Sequence, residues 1–351
     1  MKGILKGVAL ESLAVTVSKN RIPIEEWCEG LATPKRLKRL KKGTGVEKVS
    51  VVGEGVYMSD LCCHAAKHLL DEGRFRKEDI RAVLFITQSP EYLIPGTGFL
   101  LQEKLGLSED VQVIDIEMGC SGFVHGIIMG GAMLKGMSEG HDPDGKILLC
   151  GGDICTKDAY PETAGKALFG DAGFAAVLGL DAATEFAYSV YSDGSRFKAL
   201  YCPWGGAHHY KKTDENGKLT LDRENYSVMD GMAVMDFTLK DVPEDIRKLM
   251  AFARVTPDDV NVAFVHQANR MTVETLANSL SMKTESIPFN SEEIGNTSLA
   301  SVPVCMAEQK RRGKWEVYPC ALLSGFGIGL TISSVLIDLT DTYVEETLDY
   351  E

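Results

Sequence analysis

The sequence predicts a layered α/β fold built from two βα-rich halves. Three observations carry that expectation. Short apolar runs of strand length alternate with longer segments of helical periodicity over residues 81–180. The same alternation returns over residues 227–339. Between the halves, near residues 181–186, the alternation pauses without a low-complexity tract or a short-period repeat. Strands flanked by helices on this pattern bury both faces of a sheet, which gives an α/β/α stack.

In order, "RAVLFITQSP", "VQVIDIE", "KILLCGGDI" and "FAAVLGL" read as strands of the first half. "SDLCCHAAKHLLDEG", "TGFLLQEKLG" and "GFVHGIIMGGAML" read as the helices among them, each with apolar residues three and four apart. In the second half, "SVMDGMAVMDFTLKDVPEDIRKLMAFA" reads as a helix and "VNVAFVHQ" as a strand leading into the helix "ANRMTVETLANSL". "LASVPVCMAEQKRRG" is a further helix, and "YPCALLSGFGIGLTISSVLIDL" gives two strands around a glycine-rich turn. Residues 201–226 are the most loop-like stretch, and His208 and His209 fall within it as an expected solvent-exposed pair.

Composition narrows the function classes. With 44% apolar and 25% charged residues, the chain resembles an ordinary globular protein. No window approaches a membrane span and the start lacks the apolar core of a signal peptide, so a cytoplasmic location is expected. Nine cysteines without framework spacing favour reduced thiols. A net charge of −13 argues against nucleic acid and makes any anionic partner depend on a local basic patch. "TPKRLKRLKKGTG" is the candidate, with Lys35, Arg36, Lys38, Arg39, Lys41 and Lys42 within eight residues; a solvated helix face is the plainer reading of such a run.

Three strand-to-helix joins hold chemistry-bearing residues. "DIEMGCSGFVHG" places Cys120 where an apolar strand gives way to a helix, beside unpaired N–H groups and the positive end of the helix dipole. That position is expected to lower the thiol pKa toward the nucleophilic thiolate. "AFVHQANRM" places His266 at a second join, and "EEIGNTSLASVP" places Asn296 in a turn before a third helix. Singly, each has a structural reading: a buried thiol, a hydrogen-bonded core histidine, an asparagine chosen for turn geometry. Together they suggest one pocket, because strand ends of open α/β sheets form ligand crevices.

With these motifs the chain resembles the β-ketoacyl-acyl-carrier-protein synthase III family of thiolase-fold condensing enzymes. "GCSGF" is similar to the family's nucleophile motif, "HQAN" to its histidine motif and "GNTSLASVP" to its asparagine motif. "LFGDAGFAAVL" and "GFGIG" resemble two further glycine-containing segments of the family. The resemblance implies a thiolase-like fold in α/β/α/β/α layers, with halves at 1–183, carrying the cysteine, and 184–351, carrying His266 and Asn296. It implies acylation of Cys120 by an acyl thioester, with backbone N–H groups of Cys120 and Ile328 as the oxyanion hole. A malonyl-type thioester would then lose carbon dioxide, with neutral His266 and Asn296 donating to its thioester oxygen. Acyl-coenzyme A and acyl-carrier protein are the implied partners, a homodimer the implied assembly, and no cofactor or metal is implied.

Departures from the family pattern mark the substrate-binding positions. The turn "SGFGIG" lacks the second cysteine of non-decarboxylating thiolases, which favours decarboxylative condensation. Glu91 and Glu117 match no motif for the glutamate base of a hydroxymethylglutaryl-type synthase. Gly43 stands where the family carries an arginine for coenzyme A, Arg270 precedes Met271 at the family's basic position, and Met232 replaces an asparagine. Ile94 replaces a phenylalanine that crosses the dimer interface, so a deeper pocket for longer or bulkier acyl groups is expected. Phe326 in the glycine-rich turn completes the substrate-binding set, and Arg36 and Arg39 are expected to recruit the donor in place of the missing contacts. Two other functions remain open: acyl transfer from the cysteine to an alcohol, amine or water without carbon–carbon bond formation, and a partner subunit of a heterodimer. His64 and His68 lie one helical turn apart, a spacing zinc can use, but no third or fourth ligand follows at recognisable spacing.

Overall fold

Two twisted sheets share a layer of helices between them. A computed structural model describes the chain except residues 140–143, 158–164, 206–211, 218–219 and 221–224. His208 and His209 lie outside the described residues, together with much of the loop-like stretch 201–226; Leu200–Tyr201 pairs with Val228–Met229 across its base.

In the first sheet, Gln112–Ile116 lies parallel to Ile80–Ile86, which lies parallel to Lys146–Ile154. Asp171–Gly179 and then Ala9–Ser18 follow, each antiparallel to its neighbour. In the second sheet the order is Lys2–Lys6, Glu185–Ser192, Thr331–Ile337, Ala321–Gly327 and Val262–Val265. Among the strands predicted from apolar runs, Lys146–Ile154 and Asp171–Gly179 are buried on both faces, which is why "KILLCGGDI" is almost uninterrupted in apolarity.

The helices Gly122–Glu139 and Ser301–Arg311 pack against both sheets and form the middle layer. An almost uniformly apolar helix such as Gly122–Glu139 has no polar face to offer water, so burial between sheets suits it. Gly126 and Gly130, one turn apart, permit its close approach: a Cβ at either would lie 2.6 Å from Leu149 Cδ1 or 2.5 Å from Leu178 Cδ1. Phe123 meets Phe174 edge-on at 5.0 Å beneath it. Outside, Met58–Asp71 and Thr97–Leu105 cover the first sheet, and Gly231–Ala253 and Arg270–Leu280 the second, completing the five layers. No helix of the described residues is long and apolar enough to cross a membrane.

Among the strands that the sequence pattern does not predict are Lys2–Lys6, Ala9–Ser18, Glu185–Ser192 and the C-terminal pair Tyr343–Val344 and Leu348–Tyr350. Two of them exchange between halves. Lys2–Lys6 joins the second sheet beside Glu185–Ser192, and the C-terminal strands join the first beside Ala9–Ser18. Such edge strands need only half-buried faces, so their own sequence carries a weak signal.

The basic run forms the helix Pro34–Thr44. Thr33 caps it by accepting the Arg36 N–H, Pro34 takes the first turn where no donor is needed, and Gly45 closes it at φ 75°. Leu37 is its one fully buried residue, so the cations stand outward, and it rests against the helix Arg270–Leu280.

Candidate active site

Cys120 sits two residues before the helix Gly122–Glu139, at the end of the loop leaving Gln112–Ile116. It is buried, and its nearest polar neighbour is Ser298, with Sγ and Oγ 3.7 Å apart. The glycine-rich turn closes over it. A Cβ at Gly327 would stand 3.0 Å from Cys120 Sγ, and one at Gly325 would stand 2.7 Å from the Cys120 carbonyl oxygen. Glycine at these positions is thus a condition for bringing the Ile328 backbone up to the thiol.

The expectation of a lowered thiol pKa is overturned. Burial pushes Cys120 up to about 11, and the charge of Asp153 adds to the rise. The Ser298 hydroxyl and the backbone of Cys120 and Ile328 pull the other way without prevailing. Position at a helix mouth stabilises a thiolate only where the surroundings do not desolvate it first.

His266 follows the strand Val262–Val265, its N–H held by the Ser324 carbonyl at 2.8 Å. The ring is buried, shares a hydrogen bond between Nδ1 and Ser301 Oγ at 2.7 Å, and meets Phe326 edge-on at 5.4 Å. Burial drives its pKa down to about 4, against the Ser298 backbone, so the imidazole is neutral at physiological pH.

Asn296 is fixed by its backbone to the segment before Asp171–Gly179: its N–H donates to Leu168 O at 2.8 Å and its carbonyl accepts the Gly170 N–H at 3.0 Å. Its Oδ1 accepts the Ser298 N–H at 2.9 Å. With the carbonyl side of the amide so committed, Nδ2 is the group left to donate. Ser298 therefore touches Cys120 through its hydroxyl, Asn296 through its N–H and His266 through its backbone. It does so from a left-handed conformation, φ 51°, uncommon for a residue with a side chain.

The other sequence candidates are placed apart from this cluster. Arg36, Arg39, Leu40 and Gly43 line one side of an open cleft of about 310 Å³, and Asn269 and Met271 line the other. Since Asn269 is three residues beyond His266, the cleft opens beside the histidine's own chain. Arg270 is engaged by Glu292 at 3.2 Å and lies over the Phe289 ring. Met232 and Ile94 are exposed, at 80% and 84%, on the helix start Gly231 and the loop before Thr97–Leu105. His64 and His68 are held by Thr16 and Glu345, and among the described residues no three potential metal ligands converge.

Known proteins resemble this chain over most of its length. The model of 3-oxoacyl-[acyl-carrier-protein] synthase III matches residues 114–194, and that of its C-terminal part matches residues 250–339. A β-ketoacyl-[acyl-carrier-protein] synthase III from Syntrophomonas wolfei is 30% identical over 84% of this chain and 86% of its own. The chain belongs to the 3-oxoacyl-[acyl-carrier-protein] synthase III family. It is an acyltransferase of the synthase III type, with the family's thiolase fold. A crystal structure of a 3-oxoacyl-(acyl-carrier protein) synthase from Burkholderia xenovorans superposes with a TM-score of 0.89 at 26% identity, covering 100% of this chain and 99% of that one. A synthase III structure from Pseudomonas aeruginosa gives a TM-score of 0.81 at 25% identity, covering 95% and 98%.

Two residues of this synthase III site escape a reading of the sequence. Ser298 is quoted inside "GNTSLASVP" but looks like part of the turn, and Asp153 ends the strand "KILLCGGDI" as an ordinary polar terminus. Neither has a local periodicity or spacing that separates it from its neighbours. The one legible sign is a lone carboxylate after seven residues of a strand otherwise buried almost throughout.

Proposed function

We propose that Cys120 is the residue acylated in this synthase III-type enzyme and that His266 and Asn296 serve the decarboxylative half of the reaction. The observation that carries this reading is the convergence of all three on Ser298, next to a glycine-rich turn that leaves room at the thiol. Attack by Cys120 on an acyl thioester gives a tetrahedral oxyanion that the N–H groups of Cys120 and Ile328 hold. The donor thiol leaves, a malonyl-type thioester enters, and loss of carbon dioxide puts negative charge on its thioester oxygen. Asn296 Nδ2 donates to that oxygen without offering an acidic proton to quench the carbanion. His266 donates from Nε2, which requires Nδ1 to accept the Ser301 proton. Carbon dioxide release from malonyl thioester together with a 3-oxoacyl thioester product tests the function. Acyl transfer to water or an amine without carbon dioxide release would overturn it.

A neutral donor has a pH signature. The neutral form of His266 is lost only as pH falls through about 4, well below the usual histidine value of about 6.5. Decarboxylation by pre-acylated enzyme is therefore expected to show no histidine inflection between pH 5.5 and 8. Stopped-flow measurement of carbon dioxide release across that range checks this, and an inflection near 6.5 that persists in Asp153→Asn would remove the assignment.

The helix Pro34–Thr44 supplies locally positive potential on a chain of net charge −13. Phosphopantetheine and carrier proteins are anionic, so Arg36 and Arg39 at the cleft recruit the donor, and Arg270 lies within reach of the same rim. Reversing Arg36 and Arg39 to Glu is expected to lower kcat/KM for acyl-coenzyme A by about tenfold, in the range of electrostatic steering. Added salt should do likewise as the Debye length falls below about 10 Å at 0.1 M. An uncharged thioester surrogate should be little affected. Unchanged carrier-dependent turnover in the double reversal would make the helix mere surface.

We further infer the divisions 1–183 and 184–351 as the two functional halves, a cytoplasmic enzyme that needs no cofactor, and a homodimer. Tyr92, Leu93 and Ile94 form a run of exposed apolar residues that a second subunit would cover, with Ile94 reaching toward the partner's acyl pocket beyond Phe326 and Met232 near the pantetheine path. Light scattering reads the dimer directly.

A further inference from the structure

The thiol that the proposed function acylates is protonated at neutral pH, and the thiolate is the nucleophile. His266 is an awkward acceptor for that proton, since it is buried, strongly resists charge and shares Nδ1 with Ser301. Ser298 Oγ is the polar atom next to Sγ, at 3.7 Å. Behind Ser298 lies Asp153, 3% exposed, at the end of the strand Lys146–Ile154. Its Oδ1 accepts the Gln88 N–H at 2.7 Å and the Thr87 hydroxyl at 3.4 Å. Its Oδ2 is buried without a hydrogen bond of good geometry, although the Ser298 hydroxyl and Leu299 N–H stand near enough to favour the carboxylate.

A second buried carboxyl shows what a structural role looks like. Asp171, on the neighbouring strand, accepts from the Thr156 N–H at 2.9 Å, the Thr156 hydroxyl at 2.6 Å and the Val52 N–H at 3.1 Å, using both oxygens. Asp153 has no such closure on Oδ2 and no ion pair among the described residues, an arrangement that costs stability unless function retains it. The titratable groups that face it are Cys120, across Ser298 from the loop before the central helix, and His266, whose ring faces the Ser298 backbone from the second sheet. From the end of Ile80–Ile86 come only neutral Thr87 and Gln88, the latter donating through its side chain to Glu117 at 2.7 Å.

We propose that Asp153 is a positioning residue that takes up, through the Ser298 hydroxyl, the proton Cys120 sheds when it is acylated. This rests on Cys120 being the acylated residue. The S–H bond breaks as sulfur bonds the thioester carbonyl carbon. The thiol proton passes to Ser298 Oγ while the Ser298 hydroxyl proton passes to Asp153 Oδ2. When the tetrahedral intermediate expels the donor's thiolate, the same proton returns along that path to the departing sulfur, and Asp153 is again a carboxylate. No oxidant, metal or further reactant is needed. Burial lifts the Asp153 carboxyl to about 7, which makes it a base at working pH yet willing to hold a proton.

Single-turnover acylation of the full chain by acetyl-coenzyme A and octanoyl-coenzyme A, followed by intact mass from pH 5.5 to 9, tests the relay. In the wild type the rate should rise with pH through about 7, as Asp153 ionises, and then level. Asp153→Asn keeps the shape and removes the base: acylation at pH 7.5 should fall about 10²-fold, the lower range for general-base catalysis, and the levelling near 7 should vanish. Ser298→Gly removes the hydroxyl at a φ that glycine accepts and should show the same loss. It decides the question alone if Asp153→Asn gives no cooperative melt. The inference is overturned if the variants keep the inflection with rates within threefold of wild type. It is also overturned if Asp153→Asn acylates faster, as loss of a mere negative charge beside a thiol would cause. A wild type that gains no acyl mass on Cys120 from either donor overturns the acyl-enzyme reading instead.

Discussion

Cys120→Ala should abolish the acyl-enzyme adduct and lower condensation by about 10⁴-fold or more, the scale on which enzymes lose rate when a nucleophile is removed. The size follows from what the thiol does. Covalent capture divides one three-body condensation into two steps, each with its own stabilised oxyanion, and without sulfur neither step exists. The other eight cysteines act as internal controls in the same mass measurement. Cys62, Cys150 and Cys305 are buried and pushed further up in pKa than Cys120, and no adduct is expected there. An adduct of undiminished yield in Cys120→Ala would place the nucleophile elsewhere. The fold should tolerate the change, because the atom removed touches Ser298 and the Gly327 backbone rather than a packed aliphatic layer.

His266→Ala and Asn296→Ala should each slow carbon dioxide release by about 10²–10³-fold while acylation of Cys120 survives at least in part. On the proposed reading both buried side chains donate to one thioester oxygen, and a single preorganised donor in such a site is worth about 3–4 kcal/mol. They differ in what they hold besides. Asn296 Oδ1 bonds the Ser298 N–H, so its loss also loosens the serine at the thiol, and Asn296→Ala should reduce acylation more than His266→Ala does. His266 holds the Ser301 hydroxyl through Nδ1 and meets the Ser298 backbone, but makes no bond to the Ser298 N–H that Asn296 Oδ1 fixes. Measuring acyl mass and carbon dioxide separately distinguishes the two half-reactions. Equal loss of both in both variants would show the division of roles to be false.

Cys120 and His266 were legible as candidates because each stands where an apolar strand gives way to a helix, and Asn296 because it sits in a glycine-containing turn before one. The layered architecture was legible because strands such as Lys146–Ile154 are buried almost throughout and helices such as Gly122–Glu139 are largely apolar, and their composition says so. The edge strands Lys2–Lys6 and Leu348–Tyr350 were not, since half-buried strands leave a weak pattern and their exchange between sheets depends on partners more than 150 residues away.

By itself the sequence determined the layers, the position of Cys120, His266 and Asn296 ahead of helices, and the basic helix, because these rest on local periodicity, capping and charge. Tertiary structure alone decided the state of those residues. The helix mouth that should favour a Cys120 thiolate is overridden by desolvation, a property of everything packed around the sulfur and of no single neighbour in the chain. It is also the fold that carries Ser298 to within 3.7 Å of a cysteine 178 residues earlier and sets the half-satisfied carboxyl of Asp153 behind it. A proton's route runs through contacts in space, and spacing along the chain holds no record of them.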